Sequence, residues 1–244
     1  MVDEMPALGV TASRTWAGRC LVAMLVALAL AACSGPTTSS SPSPVQVLRA
    51  TGRALASLHT LSADISFGPG IVLQGLTLTS ATSRIRLPDA SDTTFKVRQG
   101  DFLVDLRVIT LDGHVYLRLP FSTFTELPPS ETSQVPDLSR AFDPQTGLPA
   151  ILAQGAHPRY LGLAHLDNQD CDQVSASYTA AQLGSLLGGR TATGEVRVTL
   201  WVARSDHLPR RVALSGPLLG RGGSQRLQAD LHGFNQPVAI SPPV

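Results

Sequence analysis

One thiol is placed for chemistry by the residues before it. Cys33 follows Leu30-Ala31-Ala32, and the run from Leu21 to Ala32 carries no charge behind Arg14 and Arg19. A basic start, a short apolar run and small residues before a cut make a secretory signal peptide. The run is well short of the ~20 apolar residues that span a bilayer. Leu30-Ala31-Ala32-Cys33 also fits the bacterial lipobox, in which small side chains admit the lipoprotein signal peptidase and the cysteine thiol receives a diacylglyceryl group. Cleavage is therefore expected before Cys33. The mature Cys33 would then carry a covalent diacylglycerol and an N-acyl chain such as palmitate. Several chains hold where one does not, because each buried methylene contributes about 0.8 kcal/mol and a single chain binds only marginally. Of the other cysteines, Cys20 leaves with the signal and Cys171 has no partner. No disulfide framework and no CxxC zinc or redox pattern is available. Cys171 reads as a small buried hydrophobe.

Beyond that thiol the reactive residues are sparse. No Gly-x-Ser-x-Gly elbow and no His-Glu-x-x-His occurs. The glycines of "GPLLGRGGS" lack the Gly-Lys-Ser/Thr of a phosphate loop and lie between two alternating runs, as a hairpin turn would. Histidines 59, 114, 157, 165, 207 and 232 are scattered without ligand spacing. Asp167, Asp170 and Asp172 cluster, but without EF-hand spacing, and a turn accounts for them. The expectation is no catalytic residue, no metal and no cofactor, hence no enzyme. Lys and Arg number 19 against 18 Asp and Glu. The signal takes two of each away. A near-neutral chain without a basic patch excludes the nucleic-acid class.

These residues must be carried by an ordered domain. Residues 1–32 read as the lipoprotein signal peptide and 33–44 as a lipid-anchored tether of Ser, Thr, Pro and Gly. Residues 45–237 form one domain and 238–244 a C-terminal tail. Val45, Leu48, Gly52, Leu55 and Ala56 fall on one helical stripe. From Ser62 the period becomes two. Ala63, Ile65 and Phe67 alternate with polar residues, as do Phe102, Val104, Leu106 and Val108. Asp112-Gly113 supplies a type I′ hairpin turn, after which Val115, Leu117 and Leu119 continue the apolar face. Val196, Val198, Leu200 and Val202 repeat the pattern, followed by Val212 and Leu214 and by Leu227, Ala229 and Leu231. A meandering antiparallel sheet with one wet and one dry face is implied. Leu76 and Leu78 are even but Ile85 and Leu87 odd, so the register must slip, at "SATS", and bend the sheet. Two helices interrupt the strands. Thr179 and Gln182 form a capping box before Leu183, Leu186 and Leu187, ending at Gly188-Gly189. Pro149 opens the other, "GLPAILAQ", whose Leu148, Ile151 and Leu152 share a face. Both have an apolar side to bury, and the dry face is the available partner.

"AFDPQTGLPAILAQG", read with "ALASLHTLSADISF", "DFLVDLRVITLDGHVYLRLP" and the lipobox, resembles the LppX/LprA/LprF/LprG family of actinobacterial envelope lipoproteins, from about Val47 to Pro237. The resemblance implies an α+β fold: a strongly curved antiparallel sheet, or half-barrel, with helices packed on its concave face around an apolar cavity. It implies a periplasmic, membrane-anchored lipoprotein that binds multi-acylated lipids or lipoglycans and carries them toward the outer envelope. Partners would be acylated glycolipids or other multi-chain lipids as cargo, the cell membrane through the lipid anchor, and a membrane lipid exporter. The lining is expected from Val104, Leu106, Val108, Val115, Leu117, Val198, Leu200 and Leu227 on the strands, with Leu148, Ile151 and Leu152 on the cover. In "PFSTFTEL", Phe124 stands where relatives commonly have tryptophan, a change expected at the cavity rim. The competing reading is a structural or interaction lipoprotein whose core is filled by these same residues.

Overall fold

The computed structural model describes residues 41–73, 75–132, 135, 137–183, 193–218 and 224–243. The expected signal peptide, the expected lipobox with Cys33 and most of the expected tether lie outside them. So do Leu186, Leu187 and Gly188-Gly189 of the expected second helix, and the centre of the 217–224 turn.

Helix α1 (Pro44–Ala56) starts with proline in its first turn, where the missing N–H costs nothing. It buries Val47, Leu48, Thr51, Gly52 and Leu55, whereas Ala56 is exposed. The buried stripe is thus turned toward Val47 and Thr51 relative to the expected one. Gly52 makes a close approach to the α3 segment described below: a Cβ there would lie 2.8 Å from the Pro149 carbonyl oxygen.

The strands are β1 (Thr60–Phe67), β2 (Val72–Leu73), β3 (Leu76–Arg86), β4 (Ala90–Gln99), β5 (Phe102–Leu111), β6 (His114–Arg118), β7 (Thr125–Glu126), β8 (Ala156–Leu166), β9 (Gln169–Thr179), β10 (Glu195–Ala203), β11 (Pro209–Gly216) and β12 (Gln225–His232). Short helices α2 (Leu138–Ala141) and α3 (Leu148–Ile151), the latter continued by a 3₁₀ turn over Leu152–Gln154, precede β8. The sheet order is β7-β6-β5-β4-β3-β1-β12-β11-β10-β9-β8, with β2 paired only to β3. Every pairing is antiparallel. Two meanders meet where the first strand pairs the last, Ala63 opposite Leu231. The sheet remains unclosed, with β7 and β8 as its edges.

Local chemistry explains the turns and the bends. Asp112 and Gly113 both take positive φ, 50° and 85°, as a type I′ turn demands. Asp167 and Asn168 do the same at 49° and 60°, so Asp167 sits in a hairpin turn, while Asp170 and Asp172 lie on the strand that follows it. The register slip in β3 falls between Leu78 and Ser80, just before "SATS". Leu78 and Ile85, of opposite parity, are thereby both buried. A further shift occurs between Trp201 and Val202, and two in β8. Such irregularities curve the sheet.

The dry face and the helices share one core. It includes Leu61 and Ile65 of β1, Phe95 and Val97 of β4, Val196 to Val202 of β10, and Val47, Leu48 and Leu55 of α1. Helix α1 packs on α3, the 3₁₀ turn, β8 and β9. Residues 41–244 form a single compact unit. A second, smaller core lies on the wet face, where Ala90, Ile109, Leu111 and Ile240 pack with Tyr116, Phe124 and Val238. Val238 and Ile240 are thus pinned to the sheet. Phe124 sits under the guanidinium groups of Arg107 and Arg118, 5.8 and 5.1 Å from its ring centre. It does not rim a cavity on the dry face; the two arginines hold its ring on the opposite side.

A candidate apolar binding pocket

A gap opens between the middle of the sheet and the two short helices. Its floor is Ala63 and Ile65 of β1, Val198 of β10, Val212 and Leu214 of β11, and Leu227, Ala229 and Leu231 of β12. Its roof is Leu138, Ala141 and Phe142 of the α2 segment, Leu148 of α3, and Leu183. Every one of these side chains is hydrocarbon. The cavity volume is about 110 Å³, below the ~150 Å³ of an engineered cavity that takes up benzene. It admits a few carbons as it stands. A longer chain requires the roof to lift.

The roof is held together by local capping bonds. Asp137 caps α2, its Oδ1 accepting from the Ser139 amide at 3.0 Å and the Ser139 hydroxyl at 2.6 Å. Asp143 organises the turn between α2 and α3, accepting from the amides of Gln145 and Thr146, each at 2.8 Å. Burial pushes its pKa up, but the Thr146 and Gln145 bonds outweigh it and hold the carboxyl below the usual range. Gly147 is required there: a Cβ would meet the Asp143 amide nitrogen at 2.6 Å. The end of the α3 segment is tied by Tyr178, whose hydroxyl donates to the Leu152 carbonyl at 2.8 Å. Burial pushes that phenol's pKa up. The capping box forms, with the Thr179 amide donating to Gln182 at 2.8 Å and the Gln182 amide to the Thr179 hydroxyl at 3.2 Å. It holds Leu183 over the pocket.

Of the residues expected as lining, Leu148, Val198 and Leu227 border this gap. Leu106, Val108, Val115, Ile151, Leu152 and Leu200 are buried in the surrounding core. Val104 and Leu117 are half-buried against it, and Leu117 borders a different depression. Pattern reading missed Leu138, Ala141 and Phe142, although their i, i+3, i+4 spacing behind Asp137 is the signal of a short capped helix. That other depression is larger, about 670 Å³, and its lining mixes Leu76, Leu117, Leu119 and Leu127 with Gln99, Ser122, Thr125 and Glu131. It is an open groove at one end of the sheet, and the smaller, wholly apolar gap is the better site for a hydrocarbon.

Polar clusters elsewhere are accounted for by pairing. Asp92 accepts from Arg84 at 2.6 Å and from Arg107 at 2.8 Å. His114, His165 and His232 face Glu126, Asp170 and Asp64. Asp172 accepts from the Tyr160 hydroxyl at 3.1 Å.

The model of the LppX_LprAFG lipoproteins matches residues 43–240. The lipoarabinomannan carrier protein LprG of Mycobacterium bovis (strain BCG / Pasteur 1173P2) is 25% identical over 234 residues, covering 91% of this chain and 94% of its own. LprG of Mycobacterium tuberculosis (strain ATCC 25618 / H37Rv) matches to the same extent. Among solved structures, LprF from Mycobacterium bovis superposes with a TM-score of 0.65 at 19% identity, over 84% of this chain and 99% of that one. LppX from Mycobacterium tuberculosis gives 0.60 at 22% identity, over 83% and 100%.

Proposed function

The chain belongs to the LppX_LprAFG lipoprotein family, and from that premise we propose that it is an envelope lipoprotein that binds multi-acylated lipids or lipoglycans between its curved sheet and helical roof and carries them toward the outer envelope. The observation that carries this reading is the gap walled only by hydrocarbon under two four-residue helices. The name of its LprG relatives, lipoarabinomannan carrier protein, supports a cargo with acyl chains and a glycan. In this reading Cys33 is the anchor, the residues after it are the tether, and the helices cover the concave side of the sheet.

Energetics favour a roof that lifts. A chain of about sixteen carbons gains roughly 13 kcal/mol on leaving water, at about 0.8 kcal/mol per methylene. Lifting the roof uncovers Leu138, Ala141, Phe142, Leu148 and Leu183, about 6–12 kcal/mol for the four large side chains. An entering chain re-covers much of that surface. One acyl chain therefore outweighs the opening, and helices this short hold little stability of their own to oppose it. A carrier also needs an interior about as apolar as the bilayer, so that loading and release stay near balance.

The test is mass spectrometry of organic extracts from the 41–244 unit purified from an actinobacterial host. Co-purifying acylated lipid is the expected result. Its repeated absence, together with failure to bind a fluorescent fatty acid, overturns the carrier reading and leaves a tethered envelope protein with a filled core.

A further inference from the structure

Among the described residues, five of the seven exposed large apolar side chains crowd one end of the sheet: Val72, Phe102, Leu103, Leu119 and Phe121. Scattered exposed apolar residues are ordinary, whereas a cluster marks an interaction site. The antiparallel order brings them together. Val72 pairs with Thr77, Thr77 with Arg98, and Gln99 with Phe102, while Leu76 and Gln99 share a depression with Leu119 and Pro120. The five side chains therefore project from three neighbouring turns: β2–β3, β4–β5 and β6–β7.

Phe121 is the most telling. Its φ is 61°, and the Ser122 amide donates to the Leu119 carbonyl at 3.2 Å. Pro120 and Phe121 thus hold the central positions of a turn whose second centre is ordinarily glycine. A phenyl group there is strained, yet its side chain is 92% exposed and gains nothing from packing. Strain kept without a folding benefit points to function.

Charge selects the partner. Exposed Arg98 stands directly across from Leu103, an apolar tip flanked by a cation. The turns at the opposite end carry Asp89, Asp112 and Asp167, which an anionic surface repels. Asp101 and Glu131 also lie at this end, so apolar insertion supplies the main contact and Arg98, next to Leu103, adds to it. Separate tips around an open groove of about 670 Å³ suit a fluid interface better than the flat face of a folded partner.

We propose that this end of the sheet inserts its turns into the interface of a lipid bilayer carrying anionic headgroups, with Phe121, Phe102 and Leu103 among the acyl chains and Arg98 against lipid phosphate. Its purpose rests on the carrier reading, since a carrier must meet membranes to load and release; its existence rests on this surface alone.

The experiment is flotation of the 41–244 unit, which is compact by itself, on vesicles of mixed phosphatidylcholine and phosphatidylglycerol. Binding is expected to fall roughly ten-fold for Phe121→Gly and further for Phe102→Ser with Leu103→Ser, at the cost of a buried aromatic or leucine each. Phe121→Gly should keep or raise the melting temperature, because it relieves the backbone, and so separates docking from folding. Arg98→Gln should weaken binding only when phosphatidylglycerol is present. Leu161→Ser with Leu163→Ser, exposed on edge strand β8, should bind as the parent does. Failure of the parent to float, unchanged flotation of the tip variants, or an equal loss from the β8 pair would each overturn the proposal. Fatty-acid binding measured without vesicles keeps the two readings apart: tip-dependent flotation without fatty-acid binding upholds docking and removes the carrier.

Discussion

Leu227→Glu separates a binding pocket from a filled core. Leu227 is half-buried, lies across from Phe67 on β1 and Leu214 on β11, and borders the apolar gap. Because it is only half covered, the substitution forfeits about half of a leucine's 1.5–3 kcal/mol burial, roughly 0.8–1.5 kcal/mol, while the carboxylate reaches water. At ~2–4 °C per kcal/mol for a chain of this size, the melting temperature should fall by about 2–6 °C. An acyl chain entering the gap would instead strand that carboxylate among hydrocarbon. Desolvating an ionised group costs several kcal/mol; about 3 kcal/mol already weakens binding roughly 100-fold. Displacement of a fluorescent fatty acid, read beside calorimetry of the same samples, measures both quantities. Leu200→Glu is the contrast. Leu200 is 1% exposed and does not border the gap, so its carboxylate has no route to water and the domain should fail to fold. If Leu227→Glu melts within the expected window and still takes up fatty acid with the parent's affinity, the gap is not where the chain sits.

Other perturbations test the anchor, the sheet and the roof. Cys33→Ala should release the protein from the membrane fraction and remove the acyl mass, read by fractionation and intact-mass spectrometry. Burial pushes the Asp92 pKa up, but the hydrogen bonds and charges of Arg107 and Arg84 prevail and hold it below the usual value of 3.8. A depressed folded pKa means that its stabilisation is present above 3.8 and is lost as pH falls through the lower folded value. Asp92→Asn should therefore cost about 1–3 kcal/mol at neutral pH and flatten the acid limb of stability in urea titrations at stepped pH. Gly52→Ala places a Cβ 2.8 Å from the Pro149 carbonyl oxygen. Overpacking should exceed the gain in helix propensity and destabilise by about 1–2 kcal/mol, with faster fatty-acid exchange as α3 is pushed off α1. Among the described residues the buried Thr110 hydroxyl has no hydrogen-bond partner. Thr110→Val should raise stability by about 1 kcal/mol in urea unfolding, since it removes a desolvated group without changing shape.

What the sequence determined by itself is local. Alternation in Ala63 to Phe67, Phe102 to Val108 and Val196 to Val202 dictates strands with a dry side, because successive side chains must point to opposite faces. Asp112-Gly113 dictates its hairpin because few other dipeptides take two positive φ values cheaply, and Thr179 with Gln182 dictates its cap through bonds three residues apart. What the tertiary structure decided is which apolar surface meets which. Ile109, on the wet parity of β5, is buried because Ile240, far off in the chain, folds back over it. Phe124 is drawn to the same side by two arginines. Val104 to Val108 read like pocket walls and are mostly core, whereas Val212, Leu214 and Leu231 border the gap. The difference lies in where the segment from Leu138 to Leu148 crosses the sheet. Periodicity assigns a residue to a face; only packing between distant segments decides whether that face is filled or left open.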